Sequence, residues 1–140
     1  MGRLLQTGIH PRVGTLIHKN NEFRLTTDAS GNPQCEIYST TWQTALVATK
    51  SLPTGTWSHV ICTYDGTDLK MYINGVSAAT PLAESDAIIS SSASGLNIAR
   101  DSAGSGYFDG QIDNVKIWSY PLTEAQIKLD YGRGAVYFGQ

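Results

Sequence analysis

Among the side chains that could carry out chemistry, the acidic ones are considered first, because glycoside hydrolysis needs two carboxyl groups facing each other across a cleft. Those groups lie about 5–5.5 Å apart for retention of configuration and farther apart for inversion. Asp109 and Asp113 are four residues apart, which in a strand places them on one face about 13 Å from each other. That separation is too wide for a catalytic pair. The glutamates do not supply one either, because they are scattered along the sequence as Glu22, Glu36, Glu84 and Glu124.

Nucleophilic catalysis by serine is not indicated. The histidines His10, His18 and His59 have no G-x-S-x-G motif to accompany them. We therefore expect no enzymatic activity.

The segment from Phe108 to Asp113 is a candidate site for a structural calcium ion. Calcium prefers several oxygen ligands from carboxylates and backbone carbonyls, and this segment supplies Asp109, Asp113 and a flexible Gly110. Asp113 is the stronger candidate ligand. The alternatives are that Asp109 only shapes a turn and that Asp113 bonds backbone amides between sheets.

Two groups of residues could bind a sugar, whose apolar C–H faces stack on aromatic rings and whose hydroxyls bond polar side chains. The first group lies in the segment from Asn97 to Tyr107, hereafter the rim loop, and the second ends at Trp42. We predict that Trp42 or Tyr107 stacks on the ligand and that hydroxyls bond the polar side chains of Asn97, Arg100 and Asp101. Alternatively, Trp42 covers an open sheet edge, and Arg100 pairs with Asp101 at the surface.

The elements that must position these residues are strands. Trp57–Val76 alternates apolar and polar residues around the turns Asp65-Gly66 and Asn74-Gly75, which predicts hairpins with one buried face. Val60, Cys62, Leu69 and Met71 fall on that face. Further strands are predicted at Gly14–Ile17, Glu22–Thr27, Gln34–Ser39, Ala45–Lys50, Ser77–Ala79, Gly95–Ala99 and Tyr107–Trp118, with a last one over residues 135–140. This spacing without intervening helices predicts an all-β antiparallel sandwich.

One helix is predicted near the C-terminus, over Pro121–Tyr131. Thr123 and Gln126 have the spacing of a capping box. Leu122 and Ile127 occupy the positions of a hydrophobic staple. We expect this helix to pack against a sheet edge or an end of the sandwich.

The two cysteines, Cys35 and Cys62, both fall on the core face of a predicted strand. We favour two buried free thiols that act as small hydrophobic groups. A disulfide across neighbouring strands is the alternative, and it would imply an oxidising compartment.

Composition limits the possible partners. The 140 residues carry a net charge of −2, and 16% of them are charged, so nucleic acid is an unexpected partner. No apolar run approaches the length of about 18–20 residues that a membrane span needs. The N-terminal residues Met1–Gln6 have no apolar core of a signal peptide, so we expect no signal peptide in this chain. With 41% hydrophobic residues, residues 1–140 can form a single domain with its own core.

The segment L-P-T-G-T-W-S-H-V-I-C-T-Y-D-G-T-D-L-K-M-Y-I-N-G-V at 52–76 resembles the laminin-G-like branch of the concanavalin A-like lectin/glucanase superfamily. The segment Y-F-D-G-Q-I-D-N-V-K-I-W at 107–118, followed by P-L-T-E-A-Q-I at 121–127, resembles it too. The resemblance covers about residues 14–131. It implies a two-sheet jelly roll, with Trp57 and Trp118 as packing residues and a calcium ion near residues 108–113. It also implies that catalytic members carry an E-x-D-x-x-E type of run, which this sequence lacks.

Family members carry several more strands before the segment that matches Gly14–Lys19. Either residues 1–12 supply one of these strands, or the chain is a truncated module, or a second copy covers the open edge. An uncovered apolar edge favours aggregation, so we expect an oligomer or a re-paired N-terminus.

The sequence therefore predicts a non-catalytic carbohydrate-binding or adhesion module of a larger extracellular or cell-surface protein. The first alternative is a protein-interaction module that assembles with itself through an open sheet edge. The second is a glucanase-like glycoside hydrolase.

Overall fold

A computed structural model of the protein describes residues 3–6, 14–88 and 93–132. Within these ranges the chain forms eleven strands and one helix. The strands are β1 (Arg3–Gln6), β2 (Gly14–Lys19), β3 (Phe23–Thr27), β4 (Pro33–Ile37), β5 (Leu46–Val47), β6 (Trp57–Tyr64), β7 (Asp68–Ile73), β8 (Val76–Ser77), β9 (Leu82–Ala83), β10 (Leu96–Ile98) and β11 (Gly110–Asp113), and the helix is α1 (Glu124–Gly132).

The strands form two antiparallel sheets that enclose the core, as the sequence predicted. The five-stranded sheet has the order β10-β2-β3-β4-β5, and the six-stranded sheet has the order β11-β1-β6-β7-β8, with β9 also paired to β7. The core between them contains the buried side chains of Leu16, Leu25, Cys35, Ile37, Leu46, Ala48, Leu52, Val60, Leu69, Met71 and Phe108. The predicted inward faces of β6 and β7 are confirmed.

Strand β1 explains how the six-stranded sheet is completed. Arg3–Gln6 pairs with β11 on one side and with β6 on the other. The expectation of a re-paired N-terminus is therefore confirmed, and β1 covers edges that would otherwise expose backbone N–H and C=O groups.

The predicted capping box is present at the start of α1. The Gln126 N–H donates to Thr123 Oγ1 at 3.3 Å, and the Thr123 N–H donates to Gln126 Oε1 at 2.8 Å. The helix places Lys128 and Tyr131 beside Gly75 in the turn between β7 and β8, which agrees with the expected position at an end of the sandwich. Its Ile127 packs with Leu122 against Ile61 and Tyr72, which are opposed in register on β6 and β7. These residues alternate with core residues, so the helix covers the outer face of the six-stranded sheet.

Several predicted strand boundaries were wrong. The strand predicted over Tyr107–Trp118 contains only β11, because Asn114 adopts a left-handed conformation with φ 54° directly after it. The strand β9 was not predicted. Trp57 is 44% exposed, so it is not the packing residue that we expected. The predicted strand over residues 135–140 lies outside the described residues.

The favoured prediction of two free thiols was also wrong. Cys35 on β4 and Cys62 on β6 form a disulfide with a Cα–Cα distance of 6.6 Å. The bond joins the two sheets through the core, whereas the alternative in the sequence analysis placed it between neighbouring strands. Alternation put both side chains on core faces, but it could not show that they lie opposite each other.

In the part of the chain that the structure describes, no helix is long and apolar enough to cross a membrane.

Candidate functional site

A row of polar side chains crosses the outer face of the five-stranded sheet. Asn97 on β10 is opposed to His18 on β2, His18 is opposed to Arg24 on β3, and Arg24 is opposed to Glu36 on β4. Arg24 directly precedes the core residue Leu25 in β3, and Glu36 directly follows the core residue Cys35 in β4. Because side chains alternate between the two faces of a strand, this row faces away from the core.

Trp42 packs against this row. The guanidinium of Arg24 lies over the Trp42 ring at 4.3 Å from its centre. The rings of His18 and Tyr38 lie 5.5 Å and 5.4 Å from it. Arg24 is held in place by Glu36, which accepts two hydrogen bonds from the guanidinium, including one of 2.8 Å from Nη2 to Oε1. We call the residues His18, Arg24, Glu36, Tyr38 and Trp42 the Trp42 cluster.

In addition to the pairing of β10 with β2, a hydrogen bond to a side chain joins the rim loop to the Trp42 cluster. The backbone N–H of Ser102 donates to His18 Nδ1 at 3.0 Å. The two places that the sequence suggested for sugar binding are therefore parts of one surface. We call the rim loop together with the Trp42 cluster the rim surface.

Asp101 shapes the rim loop. Its carboxylate accepts hydrogen bonds from the N–H and the hydroxyl of Ser105 at 2.8 Å and 2.6 Å. The hydrogen bond from the Ser105 hydroxyl is the largest of the contributions that lower the Asp101 pKa. The proposed surface pairing of Arg100 with Asp101 is not among the ion pairs of the described residues.

Both ends of the rim loop are fixed to β2. At one end Ala99 adopts a φ of 65°, and its N–H donates to the Leu16 carbonyl at 3.0 Å. At the other end the Thr15 N–H donates to the Gly106 carbonyl at 2.7 Å. A left-handed backbone costs free energy at alanine, so these contacts hold the loop in a defined shape.

The predicted sugar-binding residues are only partly brought together. Trp42, Asn97 and Asp101 lie around His18. Asn97 is opposed to it in the sheet, and Asp101 directly precedes the Ser102 that bonds it. Arg100 is exposed on the rim loop. Tyr107 is 65% exposed and forms a β-bridge with Thr15 rather than with the Trp42 cluster.

His18 is the central residue that the sequence analysis did not select. It is 6% exposed, and burial, followed by the charge of Arg24, lowers its pKa below 6.5. Its Nε2 has no hydrogen-bond partner among the described residues. The sequence held no signal for it, because alternation places His18 on the same face as the core residue Leu16, two positions earlier. The bulge between Thr15 and Ile17 turns His18 to the outer face instead.

A cavity of about 330 Å³ lies beside the rim surface, within the size range of small-ligand sites. Arg24 borders both the cavity and the Trp42 ring, and its partner Glu36 also lines the cavity. Much of the wall is apolar and aromatic, with Phe23, Ile37, Ile61, Tyr64, Leu69, Ile88, Ile117, Trp118, Tyr120, Pro121 and Leu122. No residue predicted from the sequence to bind sugar or metal lines this cavity.

The predicted calcium ligands Asp109 and Asp113 are both exposed. Asp113 Oδ1 accepts a hydrogen bond of 2.8 Å from the Asn114 N–H. Among the described residues, no group of three or more histidine, cysteine or acidic side chains is placed to hold a metal ion. Calcium binding by Asp109 and Asp113 stays a prediction.

A family model described as the concanavalin A-like lectin/glucanases superfamily matches residues 7–128 of the sequence. The chain belongs to this superfamily. The mouse protein pappalysin-1 is 30% identical over 89 residues, which are 62% of this chain and 6% of pappalysin-1. This concanavalin A-like domain thus matches only a small part of that relative.

Solved structures share the fold of this concanavalin A-like domain. One is a protein from Bacteroides ovatus proposed to bind carbohydrate, with a TM-score of 0.73 and 23% identity over 90% of this chain and 38% of that one. Another is domain 4 of the extracellular arabinanase AbnA from Geobacillus stearothermophilus, solved with arabinotriose, with a TM-score of 0.72 and 20% identity. The match covers 93% of this chain and 64% of the arabinanase domain. A heptameric pentraxin from Limulus polyphemus has a TM-score of 0.62 and 14% identity, over 91% of this chain and 65% of the pentraxin.

Proposed function

We propose that this domain is a non-catalytic carbohydrate-binding module that belongs to a secreted or cell-surface protein and binds glycans at the rim surface. The observation that carries the proposal is the hydrogen bond from Ser102 to His18, because it unites the polar rim loop with the aromatic Trp42 cluster. Sugar recognition needs both an aromatic wall and convergent polar groups.

The chemistry of the rim surface suits a neutral sugar. Arg24 is neutralised by Glu36 within the surface, and burial keeps the His18 ring uncharged at neutral pH. Arg100 and Asp101 add one positive and one negative charge to the loop. A neutral ring with several hydroxyls can therefore bind without leaving an unpaired buried charge.

Three further observations support this proposal. The arabinanase domain with the same fold was solved with arabinotriose, and the Bacteroides ovatus protein is proposed to bind carbohydrate. The disulfide between Cys35 and Cys62 is of the kind that persists in oxidising, extracellular environments.

The proposal is tested by screening the protein against a glycan array that includes arabinan, laminarin and neutral oligosaccharides. Variants in the rim loop (Asn97→Ala and Arg100→Ala) should weaken every positive signal. The matched variant Trp118→Ala changes the cavity wall instead. Loss of glycan binding in Trp118→Ala alone would move the site from the rim surface to the cavity. No binding to any glycan would refute the proposal.

The non-catalytic part of the proposal has its own test. Incubation with laminarin and arabinan should release no reducing sugar. Turnover that disappears when a single acidic residue is replaced would show that the domain is a glycosidase.

A second candidate function is self-assembly, which one observation favours. Strand β10 is the terminal strand of its sheet among the described residues, and its Leu96 and Ile98 are 43% and 47% exposed. Pairing of two β10 edges would cover these side chains. Sedimentation should then show a dimer that dissociates in the Ile98→Lys variant, and a monomer at all concentrations would exclude this function.

A further inference from the structure

The hydrogen bond between Ser102 and His18 connects the tip of the rim loop to the sheet. Among the described residues, the other hydrogen bonds of residues 100–105 stay within the loop, mainly between Asp101 and Ser105. The contacts of Ala99 and Gly106 fix only the ends of the loop. The position of the tip relative to Trp42 therefore depends on His18.

This hydrogen bond determines which protonation state of His18 is compatible with the loop. A backbone N–H can only donate, so Nδ1 must offer its lone pair and the ring proton must lie on Nε2. A second proton can enter only at Nδ1. An Nδ1–H facing the Ser102 N–H would place two donors against each other, and the hydrogen bond would be lost.

The charges around His18 come from three elements. Arg24 on β3 disfavours a positive ring, whereas Glu36 on β4 and Asp101 in the rim loop favour one. Burial is the largest influence and also disfavours the charged ring, so the pKa lies below the usual 6.5. The His18 ring is therefore neutral at neutral pH, and Nδ1 accepts the hydrogen bond from Ser102.

We propose that His18 is a positioning residue that latches the rim loop through Ser102, and that protonation of its ring releases the loop and weakens glycan binding in acid. The glycan part of this inference rests on the proposed function. The latch itself does not, because it concerns contacts within the chain.

The effect of the latch on glycan affinity depends on the latched fraction, which is the fraction of molecules in which the hydrogen bond between Ser102 and His18 is formed. If only the latched loop binds, the apparent Kd equals the intrinsic Kd divided by that fraction. One pH unit below the pKa of His18 the latched fraction is about one tenth, so the Kd rises about tenfold.

Two variants separate the latch from general effects of histidine titration. In His18→Asn, the side-chain oxygen can take the place of Nδ1 as an acceptor, and this group does not titrate. In His59→Gln, the second buried histidine of the described residues is removed, while an amide remains near Asp130, which His59 contacts through Nε2. His59→Gln leaves the rim loop untouched and is the matched control.

The latch is tested without any glycan by NMR from about pH 7.5 downward until the titration of the His18 ring is complete. The Ser102 amide shift should follow the titration of the His18 ring. Hydrogen exchange at Ser102, corrected for its intrinsic pH dependence, should be at least about tenfold faster one pH unit below that pKa than at about pH 7.5. In His18→Asn the Ser102 amide should show neither change. If the shift and the hydrogen exchange of the Ser102 amide in the wild-type protein do not change as His18 titrates, the latch is refuted. This result does not depend on whether the variants fold.

The glycan part is tested by calorimetry over the same pH range with a positive glycan from the array. As the pH falls, the Kd should rise in the wild-type protein and in His59→Gln. In His18→Asn the Kd should not depend on pH. A wild-type Kd that does not change with pH overturns this part of the inference. Absence of glycan binding at every pH refutes the proposed function instead, and the NMR result then decides the latch alone.

Discussion

His59 on β6 and Asp130 in α1 are joined by a hydrogen bond of 3.0 Å between Nε2 and Oδ2. The other oxygen of Asp130 accepts a hydrogen bond of 2.6 Å from Lys116 Nζ. His59 is 5% exposed. Burial would raise the Asp130 pKa, but the hydrogen bonds from Lys116 and His59 outweigh it and lower that pKa. This contact ties the helix to the outer face of the six-stranded sheet.

Replacement of Asp130 by alanine should destabilise the domain by about 1–3 kcal/mol, because it leaves a buried His59 N–H without an acceptor. The free energy of unfolding is measured by urea denaturation at neutral pH. Glu124→Gln is the control, because it removes only exposed charge interactions, the pair with Lys128 and the favourable charge in the first helical turn. Such exposed interactions each contribute at most about 1 kcal/mol. Equal losses in the two variants would contradict a specific role for the His59–Asp130 contact.

The disulfide between Cys35 and Cys62 closes a loop with a sequence separation of 27. A loop of that length stabilises a fold by about 3–4 kcal/mol through loss of entropy in the unfolded chain. The double variant Cys35→Ala/Cys62→Ala should lose about that much stability in urea, and a reducing agent should affect the wild-type protein but not the variant. Two titratable thiols in the unreduced, denatured wild-type protein would show that the bond does not form.

Gly106 at the end of the rim loop should not tolerate a side chain. Its φ is +60°, and a Cβ built there would lie 2.9 Å from Thr15 Oγ1. Gly106→Ala should therefore cost about 1–2 kcal/mol and weaken glycan binding by displacing the loop. Gly95→Ala is the matched control, because a Cβ at that position meets nothing within 4 Å. Wild-type stability in Gly106→Ala would mean that the loop is not held as described.

Calcium binding by Asp109 and Asp113 predicts a higher melting temperature when calcium is added, since a ligand that binds only the folded state stabilises it. The increase should be absent in Asp113→Asn and unchanged in Asp68→Asn, which alters a distant acid on β7. An unchanged melting temperature of the wild-type protein on adding calcium or a chelator would exclude the site.

Local features of the fold could be predicted from the sequence. The alternation around Val60 and Met71 gave the buried face of the central hairpin, and the spacing of Thr123 and Gln126 gave the capping box. Both depend on residues that are neighbours along the chain or across one tight turn. Periodicity and capping report such short-range geometry directly.

Contacts between distant segments could not be predicted in the same way. The meeting of His18 with Ser102 spans 84 positions, and it depends on how β10 pairs with β2. The pairing of Cys35 with Cys62 depends on the stagger of the two sheets. Alternation identifies the face of a strand, but it contains no information about which residue of another segment lies opposite.

The central claim is that the rim surface binds glycan through Trp42, and calorimetric titration with a glycan found on the array tests it most directly. We predict at least about a tenfold weaker Kd in Trp42→Ala and a smaller loss in Trp42→Phe. Trp57→Ala, which removes an exposed tryptophan from the other sheet, should not change the Kd. A Kd that Trp42→Ala leaves at its wild-type value, with the fold intact by circular dichroism, would contradict the account.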